Sequence, residues 1–228
     1  TNNGNNNTAV GHEALELNTS GASNVAVGRQ ALEANTTGAE NTAVGTCAGD
    51  SNTTGSGNVF IGKEAGQANT TASGNVAIGQ NTFDANSTGA ANTAVGSAAL
   101  GANTTGQQNT AVGVNSMQCN TTGQYNSAFG FQAMNRNTDS EGNTGIGYQA
   151  LFTNTTGDAN TAVGRDALVS STTASNNTAV GKDSLKANTT GASNTSVGRE
   201  ASEKTTTGSG NTSIGSGALN SVTTGSQN

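Results

Sequence analysis

The sequence predicts an all-β fold, a parallel β-solenoid of about thirteen 17-residue coils. Three observations predict it. The pentapeptide Asn7-Thr8-Ala9-Val10-Gly11 returns at Asn41-Thr42-Ala43-Val44-Gly45 and, varied, through to Asn211-Thr212-Ser213-Ile214-Gly215. Its opening asparagines fall at 7, 24, 41, 58, 75, 92, 109, 126, 143, 160, 177, 194 and 211, so every step is 17 residues with no insertion or deletion. A period held this strictly makes each repeat one unit stacked on the last. The composition has 33 glycines, no proline, no tryptophan and 3% aromatic residues. That suits a thin repetitive interior with many tight corners that keep their backbone N–H groups.

Within the coil, columns are numbered from the opening asparagine. Columns two to four read as a short strand, with column three facing opposite to its neighbours. Column four is always large and apolar: Val10, Val27, Val44, Ile61, Ile78, Val95, Val112, Phe129, Ile146, Val163, Val180, Val197 and Ile214. Column five is glycine in all thirteen units. Columns eight (Ala31, Ala48, Ala65) and nine (Leu32, Leu100, Met117) suggest a second short strand. Columns twelve to fifteen, as in Asn35-Thr36-Thr37-Gly38, carry a turn signature. The Thr and Val content favours strands over one short helix per unit, since helical repeats need two helices and a longer period.

Columns four and nine are assigned to the chain's own interior, and the alanines of columns three and eight to close approach between chains. The reverse assignment satisfies the same pattern. Aligned asparagines in columns one and twelve are expected to hydrogen-bond along the stack. Columns thirteen and fourteen are almost unbroken threonine.

The chain reads as a single array over residues 1–228, with the first full repeat at Asn7, cut from a longer fibre protein. Gly4 already occupies a repeat glycine column and Asn228 opens another unit. Net charge is −6, with 10% charged residues, unlike a basic nucleic-acid footprint. No apolar run is long enough to cross a bilayer, so no membrane insertion of this segment is expected.

The search for chemistry predicts no enzyme, no cofactor and no metal. His12 is the only histidine and occupies column six, elsewhere often Arg29, Lys63 or Arg165; a surface role fits it, since catalysis needs convergent partners. Gly55-Ser56-Gly57 lacks the following Lys-Ser/Thr of a phosphate loop. The acidic residues lack the pattern of calcium-binding β-rolls. Cys47 and Cys119 lie in the third and seventh units, about 19 Å apart for a rise of about 4.8 Å per coil, which is beyond disulfide reach. Both read as small apolar fillers.

Charged pairs recur in columns six and seven at Lys63-Glu64, Arg165-Asp166, Lys182-Asp183 and Arg199-Glu200 and read as a solvated corner. Five of the seven aromatics cluster at Tyr125, Phe129, Phe131, Tyr148 and Phe152. Phe129 belongs to column four. Tyr125, Phe131, Tyr148 and Phe152 form a candidate partner-binding stripe, against a local packing substitution. Asn-Thr-Thr triplets such as those at Asn35 and Asn154 match the glycosylation acceptor, but an asparagine ladder explains the column better, because Ser171 and Thr205 also fill it.

Asn-Thr-Ala-Val-Gly followed by a small residue three places on resembles the head repeats of trimeric autotransporter adhesins. Units ending Asn154-Thr155-Thr156-Gly157 resemble the repeat arrays of phage-type tail fibres. The resemblance covers the whole chain and implies a left-handed β-roll in a homotrimer, the chain's first partner being itself. The 17-residue period exceeds that of the adhesin heads and implies a larger corner or a third side. The leading expectation is a structural fibre segment, shaft or head, that projects a binding tip outside the cell or from a virion. The first alternative is an ice-binding solenoid using the Thr and Asn ladders, with columns twelve and fourteen on one face. The second is an adhesin that takes a host-surface glycan or protein around residues 125–152.

Overall fold

The computed structural model describes residues 3–228. They form two compact units that divide between Val114 and Asn115, both built from the same coil. The first carries strands β1 (Thr8–Val10), β2 (Val25–Val27), β3 (Thr42–Val44), β4 (Val59–Ile61), β5 (Val76–Ile78), β6 (Thr93–Val95) and β7 (Thr110–Val112). The second carries β8 (Ser127–Phe129), β9 (Thr144–Ile146), β10 (Thr161–Val163), β11 (Thr178–Val180), β12 (Thr195–Val197) and β13 (Thr212–Ile214). Within each unit successive strands pair in parallel, each residue opposite its counterpart one repeat away, as in Val25↔Thr42, Ala26↔Ala43 and Val27↔Val44. The architecture is the expected parallel β-solenoid, with no helix among the described residues.

The interior overturns two expectations. Column four does not fill the coil. Val10, Val44, Ile61, Ile78, Phe129, Ile146, Val197 and Ile214 are exposed, and the other members of that column are at best half-buried. Column three fills it instead: Ala26, Ala43, Ala77, Ala94, Ala128 and Ala162 have no accessible surface. A strand sends alternate side chains to opposite faces, so only one of columns three and four can point inward. Column nine decides which. Leu32, Leu100, Leu151 and Leu168 are fully buried, and a leucine reaching across a thin coil leaves room opposite only for alanine.

The second strand is absent. Columns seven and nine adopt left-handed backbone, as at Gln30 (φ 58°) and Leu32 (φ 51°), and the pattern repeats down both units. An extended segment would turn columns eight and nine to opposite sides. Placing a left-handed residue on each side of column eight directs both side chains inward, so Ala31 and Leu32 are buried together. Left-handed backbone costs a non-glycine residue about 1–2 kcal/mol, which the stacking of successive coils must offset.

Both asparagine ladders form inside the coil. In column one, the Asn41 backbone N–H donates to Asn24 Oδ1 (3.0 Å) and its Nδ2 donates to Gly55 O (2.8 Å). In column twelve, Asn52 Nδ2 donates to Asn35 Oδ1 (2.9 Å) and to the same Gly55 carbonyl (3.0 Å). Two amides from opposite sides of a coil thus meet on one backbone oxygen, which satisfies groups whose burial would otherwise be costly. Asn35, Asn52, Asn69 and Asn154 have no accessible surface, so the acceptor triplets present no amide to a glycosylating enzyme.

One local exchange of volume is instructive. Column nine is glycine at Gly49 and Gly66, and column three is large only at Phe60, in the intervening strand. A Cβ on Gly49 would lie 2.5 Å from Phe60 Cδ2, and one on Gly66 2.3 Å from Phe60 Cδ1. Phe60 is fully buried and fills the space of two missing leucines. Met134 plays the same part beside Gly145, where a Cβ would meet its Cγ at 2.7 Å.

Candidate functional site: the outward strand face

With column three inward, columns two and four of every strand point out. Column two is Thr, Val or Ser, and column four Val, Ile or Phe, so no described strand places a charge on this face. The register aligns like with like: Val59↔Val76 lie beside Ile61↔Ile78, and Thr144↔Thr161 beside Ile146↔Val163. Within each unit the face is an apolar column flanked by a β-branched one. Val44, Ile61 and Ile78 stay 36–37% exposed although their neighbours above and below are present. The chain itself leaves this apolar strip uncovered.

The charges lie on the following corner. Lys63–Glu64 (3.1 Å), Arg165–Asp166 (3.5 Å), Lys182–Asp183 (3.1 Å) and Arg199–Glu200 (3.1 Å) all pair within their own coil. Most are exposed pairs of small worth. Asp183 differs: its side chain is buried and also takes Lys186 at 3.0 Å. Burial pushes its carboxyl up, but bonds from Lys186 and Lys182 outweigh this and hold it below the ordinary aspartate range. A depressed carboxyl contributes stability above its unfolded pKa, which is lost as pH falls through the folded value. Asp183→Asn should therefore lower stability at neutral pH and flatten its decline below about pH 4, read from urea midpoints across that range. An unchanged pH slope would count against the pairing. Asp84 is shifted the other way, raised by burial and by Glu64. Its effect runs opposite, stability being lost as pH rises through its folded pKa.

Of the candidate stripe, the two residues that share column six meet. Phe131 and Tyr148 stack at 5.6 Å with rings 13° apart, and both are exposed. Near-parallel rings at this separation form an offset stack, an arrangement that aromatic pairs prefer. Phe152 sits beneath the Arg136 guanidinium, 5.4 Å from the ring centre. Tyr125 lies in column seventeen, with left-handed backbone (φ 60°), and is exposed without a ring partner among the described contacts.

The expected pairing of columns twelve and fourteen on one face is also absent. Column twelve is buried, whereas Thr37, Thr54, Thr71 and Thr88 of column fourteen are exposed. Column thirteen hydroxyls are occupied along the stack, Thr36 Oγ1 donating to Thr53 O at 3.0 Å.

Cys47 is buried and Cys119 exposed, both as free thiols. Burial raises the Cys47 thiol pKa, and Arg29 partly opposes this. The filler reading therefore suits Cys47 alone. His12 is exposed and faces Glu13 at 3.2 Å. Glu13, Glu16 and Glu33 offer oxygens within 4.8 Å of one another, as exposed acids on neighbouring coils do without any ion. No helix of the described residues is long and apolar enough to cross a membrane. Comparison with protein-family models, with curated proteins and with solved structures finds no match.

Sequence reasoning missed the outward face because it asked which column was most apolar, not which was smallest opposite leucine. The signal was present: the one aromatic of column three coincides with the two glycines of column nine.

Proposed function

We propose that the chain is a structural fibre segment, the shaft or head of a phage tail fibre or bacterial surface adhesin, working outside the cell or on a virion to project a binding tip. In this reading three copies wind as left-handed rolls and pack through the strand face. The observation that carries it is the outward apolar column, kept in every coil although the chain's own interior does not use it. A second copy matches this face uniquely well, because it repeats with the same rise of about 4.8 Å and so keeps every valine opposite an apolar neighbour.

The test is the mass in solution by sedimentation equilibrium. The native chain is expected near three chain masses. Ile61→Lys with Ile78→Lys should shift it toward a single chain while preserving the β-rich circular dichroism spectrum, because both residues lie outside the coil. A native chain that sediments as a monodisperse monomer overturns the reading.

A further inference from the structure

The interior changes character in the second unit. Column nine runs Met134, Leu151, Leu168 and Leu185, then becomes Ser202. Where leucine is missing at Gly49 and Gly66, Phe60 fills the gap. At Ser202 no apolar side chain does so. A buried hydroxyl chain takes its place: Ser202 Oγ lies 2.8 Å from Ser213 Oγ, Ser213 Oγ 3.0 Å from Ser196 Oγ, and Ser184 Oγ 2.9 Å from Ser196 Oγ. Ser196 Oγ donates onward to Ala201 O at 2.8 Å. Three of these serines stand in columns that are alanine in most coils, and the fourth in the leucine column.

The column-twelve ladder breaks in the coil just before this stretch, at Ser171, and again within it, at Thr205. Ser171 is too short to reach the amide one coil below, and Asn154 Oδ1 and Ser171 Oγ are both buried without a partner. Thr205 turns its hydroxyl to Val222 O instead (3.0 Å), leaving Asn188 Oδ1 without one. The Lys182–Asp183–Lys186 cluster does not repair the break, since all three residues belong to one coil. The coils from Asn177 onward thus lose a leucine at Ser202, replace apolar packing with hydrogen-bonded serines, and follow a ladder cut at Ser171 and again at Thr205; the lost apolar packing and the unsatisfied buried amide oxygens lower the stability of this part of the stack.

We propose that this stretch, β11 to β13, is a yielding segment that opens as one cooperative unit while β8 to β10 stay closed. Local opening of this kind follows contiguous blocks of low internal stability. Its use rests on the fibre reading. Under tension the segment gives way first, and each opened coil exchanges a rise of about 4.8 Å for up to about 58 Å of extended chain. A fibre would thereby lengthen before it detached.

Hydrogen–deuterium exchange read by mass spectrometry on the whole chain tests the segment without assuming the fibre. Peptides covering β11, β12 and β13 should exchange together, about tenfold or more faster than those covering β8 to β10. Simple fraying would instead give a gradient, coil by coil. Ser171→Asn restores the ladder at the boundary, and Ser202→Leu with Thr205→Asn restores the consensus interior. Either variant should slow exchange across the whole segment; the first returns one buried position to the asparagine that its column holds in most coils and guards against misfolding of the second. Equal protection throughout the native unit overturns the proposal, as does a gradient that neither variant changes. A monomeric mass would remove the fibre reading and leave the exchange result standing.

Discussion

Phe60→Ala should be among the most damaging single substitutions in the chain. Removing a buried phenylalanine generally costs about 3–5 kcal/mol, with the larger values where surroundings cannot collapse. Here they cannot, because the residues that would close in are Gly49 and Gly66, which have no side chains to move. Urea unfolding should show the midpoint falling accordingly. The informative control is compensation. Phe60→Ala combined with Gly49→Leu and Gly66→Leu recreates the arrangement of other coils, and Gly49 already has the left-handed backbone (φ 58°) that Leu32 and Leu100 adopt. The triple variant should recover most of the loss. Gly49→Leu alone should be destabilising, since its Cβ meets the ring at 2.5 Å. If the triple variant is no better than Phe60→Ala, the volume argument fails.

Gly62→Ala should have an effect of similar size for a different reason. Gly62 turns the corner after β4 with φ of 134°, a region that residues with a side chain essentially do not occupy. A Cβ there would lie 2.4 Å from the Gly79 carbonyl oxygen of the next coil. That oxygen is backbone and cannot move aside without separating the coils. A cost of about 4 kcal/mol or more is expected, in the range that signals a broken structural requirement. Gly57→Ala makes the same chemical change in column seventeen, where φ is 66° and nothing lies within 4 Å. Its cost should be about 1 kcal/mol, the ordinary penalty of left-handed backbone. Thermal melts of the two variants side by side separate the effects; similar losses would show that conformation alone, and not coil contact, sets the requirement at Gly62.

These two positions also show what could be read without coordinates. The glycine of column five is invariant within the chain because it is needed twice over, for its dihedral and for its lack of Cβ, and so the corner was legible. The asparagine columns were legible because an amide can donate and accept along a stack, which few side chains can do at constant spacing. The burial of column three was not, because hydrophobicity ranks valine above alanine whereas a narrow interior selects for fit. The missing second strand has a related cause. Left-handed backbone usually announces itself through glycine or asparagine; columns seven and nine carry that mark only in places, at Asn81, Asn115, Gly217, Gly49 and Gly66, and elsewhere mostly hold residues such as Glu, Gln and Leu that hide it. Of the aromatic stripe, the part that shares column six was legible, since Phe131 and Tyr148 stack one coil apart, whereas Tyr125 and Phe152 stand in columns seventeen and ten.

The internal amides have a direction. Asn35 Nδ2 donates to Asn18 Oδ1, Asn52 to Asn35, and Asn69 to Asn52 (2.8–2.9 Å), always toward the N-terminal coil. Within this ladder each amide therefore shows its oxygen to the C-terminal coil and its N–H to the N-terminal one. Two like amide faces would set lone pair against lone pair, so in this column only unlike faces meet. Where asparagine fills the column, a coil added toward the C-terminus brings the donor and finds the acceptor in place, so the ladder grows by the same bond at each step.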